Sequence, residues 1–323
     1  MRKFASVLAV CAVFGLAACG DSQPSESQEP AGASSNTSTT QASPEQMPKL
    51  DTSGSTPVLD FPKTPAPAGL QVSVLESGSG REIESGDVVV AHYVGQVWGE
   101  KTPFDSSFSR GAPTSFSLQQ VIAGWTQGLS GQKVGSKVIL SIPPELGYGP
   151  SGGQPAAGIG EKDTIAFYVE LLDAYGMNQA GDADATLQVN PADLPVQING
   201  NLGEPITVSV KSGAAQPSGE PVVRVISRGS GQPVGGHGTE MYIQYAMSLW
   251  DNALNEATYG SSGPKPIKIG SGLIFDALEN IPVGSRVLIE VPASEGGDKK
   301  AAPAYAVVVD ILGQIPNGAG ASH

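Results

Sequence analysis

Cysteine is almost missing from the 323 residues, with Cys11 and Cys19 the two present. Cys11 lies inside a leading apolar stretch of the kind that is cleaved after export, so a mature chain keeps one thiol and can form no intramolecular disulfide. Charge is sparse as well, at 15% of residues, which argues against long charged helices. Eighteen lysines and arginines face 31 aspartates and glutamates, for a net charge of -13. Without a basic patch, nucleic acid is excluded as a partner and an anionic membrane surface would repel the chain. Lys299-Lys300 is too short to make such a patch. Histidine is limited to His92, His237 and His323, far apart and with at most one thiol to join them, so no metal site is expected. His92 beside Tyr93 is read as structural. No nucleophile elbow, P-loop or dinucleotide fingerprint is found, and no cofactor is expected. What is plentiful is Gly (42) and Pro (26), the mark of a turn-rich β protein, in a chain long enough for two domains.

Met1-Arg2-Lys3 is a short basic lead, Phe4 to Leu16 an apolar run too short to span a bilayer comfortably, and Ala17-Ala18 a pair of small residues before a cleavage point. Residues 1–18 are therefore expected to be a signal peptide. The run Leu16-Ala17-Ala18-Cys19-Gly20 resembles the lipobox of bacterial lipoproteins. That resemblance implies lipid on Cys19 and a chain held on the extracytoplasmic face of the cell membrane. Residues 19–68 are Ser, Thr, Gln, Glu, Pro and Ala with few aromatics, a composition that cannot bury enough apolar surface to offset its ordering entropy. They are expected to be a disordered tether whose span, for about 45 residues, is on the order of 35 to 40 Å.

Order is expected over 69–175. Val72 and Val74, then Val89, Ala91 and Tyr93, then Val138, Leu140 and Ile142, then Ile165, Phe167, Val169 and Leu171 recur with period two, giving an antiparallel sheet with one buried face. Between them Val121, Ile122, Trp125 and Leu129 fall at helical spacing, which predicts a short helix over 119–128 lying on that face. After a linker over 176–193, the chain repeats itself across 194–316. Tyr245 to Trp250 has the spacing of Tyr93 to Trp98, and Val283 to Pro292 matches Val134 to Pro143. The fold class expected is α+β and β-rich: a twisted antiparallel sheet wrapped around a short helix, present twice. Residues 317–323 are expected to be a disordered tail.

Tyr93, Phe104, Phe116, Trp125, Tyr148 and Phe167, with Asp105, converge if sheet and helix face each other. Aromatic walls with one carboxylate and one phenol make an apolar pocket for a small ligand; a closed core would have the same periodicity. The residues His92-Tyr93-Val94-Gly95, Phe104-Asp105-Ser106-Ser107 with Arg110-Gly111, Val121-Ile122-Ala123-Gly124-Trp125, Ile142-Pro143-Pro144-Glu145-Leu146-Gly147-Tyr148-Gly149 and Phe167-Tyr168-Val169-Glu170-Leu171 resemble the FKBP-type peptidyl-prolyl isomerases. The resemblance implies a proline ring seated over Trp125 and walled by Tyr93, Phe104, Val121, Ile122 and Phe167. Asp105 and Tyr148 would supply polar groups, and the Ile122 backbone amide would meet a substrate carbonyl. Phe116 is added to the binding wall, and Ile159 is carried over from the loop 149–163, which departs from the family pattern. Gln120 stands where an acidic residue is common. The implied partners are proline-containing unfolded or exported proteins, with macrolide binding as a further implication. The alternative is a non-catalytic envelope chaperone or Pro-peptide-binding lipoprotein. In the second copy Phe104-Asp105 becomes Glu256-Ala257, Trp125 becomes Ala277 and Phe167 becomes Val307, so no isomerase activity is expected there.

Overall fold

The computed structural model describes residues 43–294 and 301–315. The lipidation residue Cys19, the signal segment and the tail over 317–323 lie outside the described residues.

The described chain opens with a hairpin. Strands β1 (Lys49–Asp51) and β2 (Val58–Asp60) pair antiparallel, and Met47 and Leu59 are buried against Val94, Ile139, Ala166 and Tyr168. The tether expected over 19–68 therefore does not extend across 43–68. The reason is the pair Met47 and Leu59, assisted by Leu50 and Phe61: four apolar side chains among polar ones suffice once a sheet face is there to receive them.

Next come β3 (Gln71–Glu76), β4 (Val88–Val97), β5 (Asp105–Ser106), α1 (Ser107–Arg110), β6 (Thr114–Ser117), α2 (Ala123–Leu129), β7 (Lys137–Ile142) and β8 (Ile165–Tyr175). The six strands form one antiparallel sheet in the order β3-β7-β8-β4-β5, with β6 also paired to β4. The face carrying Val89, Ala91, Tyr93, Val138, Leu140, Phe167 and Val169 receives Trp125 and Leu129 from α2. Helix α2 is shorter than the pattern predicted. Gln120 N–H bonds back to Ser117, and Ile122 is extended at the helix cap, so the helix starts at Ala123. It sits close because it presents glycine to the sheet. A Cβ on Gly124 would overlap the Ile142 side chain, and one on Gly128 would lie 2.9 Å from Leu140 Cδ2.

The remainder holds β9 (Thr186–Leu187), β10 (Val196–Asn199), β11 (Thr207–Val210), β12 (Val222–Arg228), β13 (Glu240–Leu249), β14 (Asn255–Ala257), β15 (Lys265–Lys268), β16 (Arg286–Val291) and β17 (Tyr305–Ile315). A seven-stranded sheet runs β14-β13-β17-β16-β12-β9, with β15 paired to β13. The β10–β11 hairpin packs on its outer face through Val196, Val208 and Val210. The expected linker over 176–193 is thus partly structured: it supplies β9 and the 3-10 turn Pro191–Asp193.

The expectation that a sheet wrapped around a short helix is present twice is not met. The pattern occurs once. In the second sheet the covering segment is a five-residue 3-10 turn, Ile274–Leu278, and among the described residues no α-helix lies inside it. The sequence contains the reason. From Ile122 to Gly135 is 13 positions (135 − 122), whereas from Ile274 to Gly284 is 10 (284 − 274), so about one helical turn is missing. Asn280, held at a positive φ of 66°, ends what remains.

Candidate functional site

On the helix-bearing face of the first sheet a cleft of about 330 Å³ opens. Tyr93, Phe104, Asp105, Phe116, Val121, Ile122, Trp125, Tyr148 and Phe167 all line it, together with Gln120. The structure brings together every predicted site residue of the first unit except Ile159. That side chain is 2% exposed and belongs to the core, where Ile159 exchanges backbone hydrogen bonds with Gln154 to close the 149–163 loop.

Trp125 is the floor. It is 3% exposed and yet lines the cleft, because Tyr93, Phe116 and Phe167 stand around it and do not cover it. Their ring centroids lie 5.6, 5.0 and 5.2 Å from the indole, at interplanar angles of 86°, 64° and 88°. Edge-on contacts of this kind suit the positive rim and negative face of aromatic rings. Phe104 adds the next wall, 5.6 Å from Phe167 at 84°. Both rings press on Gly95: a Cβ there would lie 2.6 Å from Phe104 Cζ and 2.6 Å from Phe167 Cε1. The indole Nε1 is buried without a hydrogen-bond partner among the described residues.

The polar edge is built by α1. Ser106 caps this single turn by accepting from Ser109 N–H, and Gly111, at a φ of 70°, ends it in the left-handed region. The turn swings Arg110 back over the Tyr93 ring, 5.4 Å from its centroid. Arg110 donates to the Asp105 carboxylate and, at 2.8 Å, to the Tyr93 hydroxyl, which itself donates to Asp105. Burial, then the Asp105 carboxylate that accepts its proton, pushes the Tyr93 phenol up to about 12. Burial alone would raise the Asp105 carboxyl, but the hydrogen bonds from Tyr93 and Arg110 outweigh it and hold the group below the ordinary carboxylate value. The Tyr148 phenol is raised by burial and then by the Asp105 charge. The edge is therefore a fixed negative charge whose two oxygens are both engaged, beside two neutral phenols. Such a set can orient a polar ligand but holds no group poised to take a proton near neutrality.

His92 is buried, 3.1 Å from Ser107 Oγ through Nδ1 and stacked 4.8 Å from Phe108. Among the described residues no cluster of His, Cys, Asp or Glu could hold a metal ion. Sequence reasoning passed over Arg110 and Gln120 as site members. The signal for Arg110 was present, five positions beyond Asp105 in the same short motif. For Gln120 the resemblance marked only a departure from the common acidic residue, and its place in the cleft depends on where α2 begins.

A family model described as FKBP-type peptidyl-prolyl cis-trans isomerase matches residues 79–172. A curated relative from Corynebacterium glutamicum, named "Probable FK506-binding protein", is 41% identical over 119 residues, 36% of this chain and 98% of that protein. The Escherichia coli FKBP-type peptidyl-prolyl cis-trans isomerase FkpA is 45% identical over 117 residues, 36% of this chain and 41% of its own length. The crystal structure of FkpA from Escherichia coli is similar at 46% identity with a TM-score of 0.31, covering 33% of this chain and 48% of that one. The chain thus spans less than half of FkpA and nearly all of the Corynebacterium relative.

Proposed function

The chain belongs to the FKBP-type peptidyl-prolyl cis-trans isomerase family, and from that premise we propose how its cleft performs the reaction, on which proteins, and where. The enzyme accelerates rotation about X-Pro bonds through an aromatic-lined pocket. An amide resists rotation because resonance gives its C–N bond double-bond character, with a barrier of about 18 to 20 kcal/mol. Halfway round, that resonance is lost and the carbonyl is less polar. An aromatic cleft that excludes water favours this state over the planar one, and only such differential binding raises the rate. No nucleophile or proton transfer is required.

The proline ring sits on Trp125, between Tyr93, Phe116 and Phe167, with Phe104, Val121 and Ile122 closing the sides. The Ile122 N–H finds no acceptor among the described residues, being placed just ahead of the first helical turn, and is free for the substrate carbonyl preceding proline. Asp105 and Tyr148 stand where the shifting amide charge develops, Asp105 as a charge anchored by Tyr93 and Arg110. The observation that carries this reading is the convergence of five aromatic side chains, Tyr93, Phe104, Phe116, Tyr148 and Phe167, on one open cleft with a buried indole at its base.

The substrates are exported proteins whose X-Pro bonds would otherwise isomerise over tens to hundreds of seconds. The place is the extracytoplasmic face of a membrane, reached through lipid on Cys19, and the same cleft accommodates macrolides. Two experiments test these points. A protease-coupled or NMR exchange assay with a Leu-Pro peptide measures the reaction, and unchanged exchange at micromolar protein counts against it. Fractionation of cells expressing wild type and Cys19→Ser tests the anchor: the wild type is expected in the membrane fraction and the variant outside it. Equal distribution of the two contradicts lipidation.

A further inference from the structure

Strand β6 is a short edge of the cleft wall. It has four residues, pairs with β4 alone among the described strands, and carries Phe116, whose ring is 5.0 Å from Trp125. Successive residues of a strand point to opposite faces. Phe116 lines the cleft, and Thr114, two residues before it, accepts from Arg110 at 3.4 Å. Ser115 faces the other way, where Glu240 of the second sheet accepts a hydrogen bond from its hydroxyl at 3.4 Å and another from the Tyr242 phenol.

This contact belongs to a fixed interface. The Tyr175 and Tyr242 rings stack at 4.5 Å and 23°, sealed by Val88, Val90 and Leu312. Gly313 leaves the space for Tyr175, whose ring a Cβ there would overlap. The connection between the units is clamped as well. The two N–H groups of the buried Gln244 amide are shared among the carbonyls of Gly176, Met177 and Gln179 at 3.3, 3.0 and 2.9 Å, and its oxygen accepts from Thr258 at 3.1 Å. Three carbonyls held by one buried side chain fix where the second unit stands relative to the first.

Taking the first unit as the isomerase, we infer that the second sheet is an intramolecular brace for the Phe116 wall. It acts through Glu240 on Ser115, and both are positioning residues. An edge strand that pairs on one side has few restraints of its own, so a contact at its back sets how far its front reaches into the cleft. The second unit thereby tunes proline binding while needing no pocket.

The test is a double-mutant cycle in the full chain, reading kcat/KM for a Leu-Pro peptide and thermal unfolding. Ser115→Ala and Glu240→Ala are each expected to lose about three- to tenfold in kcat/KM, the scale of one hydrogen bond. The double variant is expected to be no worse than Glu240→Ala alone. Glu240→Gln, which keeps an acceptor oxygen, is expected within about twofold of wild type. Ser115→Ala is mild enough to fold and is measured even where Glu240→Ala is unstable. Folded variants with wild-type kcat/KM, or losses that multiply in the double variant, overturn it. An inactive wild-type chain would instead overturn the isomerase reading itself.

Discussion

Gly95→Ala is a small change with two opposed consequences. Gly95 lies within β4 and its φ is not positive, so alanine fits the backbone. In mid-strand, alanine is favoured over glycine by about 0.5 to 1 kcal/mol. The new methyl, however, would stand 2.6 Å from Phe104 Cζ, 2.6 Å from Phe167 Cε1 and 2.7 Å from Phe104 Cε2. Carbon atoms rest at about 3.5 to 4.0 Å, so the two rings must withdraw by roughly 1 Å. Overpacking of this kind costs about 1 to 3 kcal/mol, partly offset by the backbone gain, and the net loss of stability is expected at about 0 to 2.5 kcal/mol. Activity should fall much further. Phe104 and Phe167 are cleft walls, and a 1 Å misplacement of a site can reduce rate by about 100-fold. The assay pairs urea unfolding with proline-isomerase kcat/KM. A folded Gly95→Ala protein within twofold of wild-type activity refutes the placement of these two rings as working walls.

The Tyr93 phenol, raised from 10.0 to about 12 by burial and by Asp105, gives a pH signature. Because the folded value is the higher one, its stabilisation is complete below pH 10 and is lost as pH rises toward 12. Denaturant unfolding should show wild type more stable than Tyr93→Phe at pH 9, with the gap closing by pH 12; a constant gap contradicts the assignment. Gln96→Leu should detach the leading hairpin. Its fully buried amide donates to Leu59 O at 3.1 Å and Glu100 O at 3.0 Å and accepts from Leu59 N at 2.5 Å, so a loss of about 2 kcal/mol is expected in urea unfolding. In the second sheet, Asp310→Ala strips the buried Arg286 of its 2.7 Å partner and should cost about 3 to 5 kcal/mol. Thermal unfolding of the variant checks this, and a loss below 1 kcal/mol would refute it.

The first sheet was legible because its strands alternate strictly and each inward residue meets another inward residue across the ladder, as Val138 meets Val169. The cleft was legible through its aromatics, which are few in the sequence and concentrated in one unit. Other features were hidden for identifiable reasons. Residues 43–68 look like coil because order there depends on Met47 and Leu59 finding a face made by strands that come later in the chain. Helix α2 is shorter than the spacing of Val121, Ile122, Trp125 and Leu129 predicts, since Gln120 closes a turn on Ser117 and Ile122 is extended at the cap. The repeat pattern conceals a deletion: the strands match, but about one turn is missing between Ile274 and Gly284, and the helix goes with it. Ile159 was carried over by position in a loop whose fold depends on glycines such as Gly153, with a φ of 91°, and it serves the core.

The central claim is that a proline on the Trp125 floor turns more easily than in water. NMR exchange spectroscopy on a Leu-Pro peptide, with the full chain at micromolar concentration, tests it most directly. Accelerated cis-trans exchange, with nuclear Overhauser contacts from the proline ring to the Trp125 indole, is the predicted result. Exchange at the uncatalysed rate, or acceleration with the proline ring remote from that indole, would contradict it.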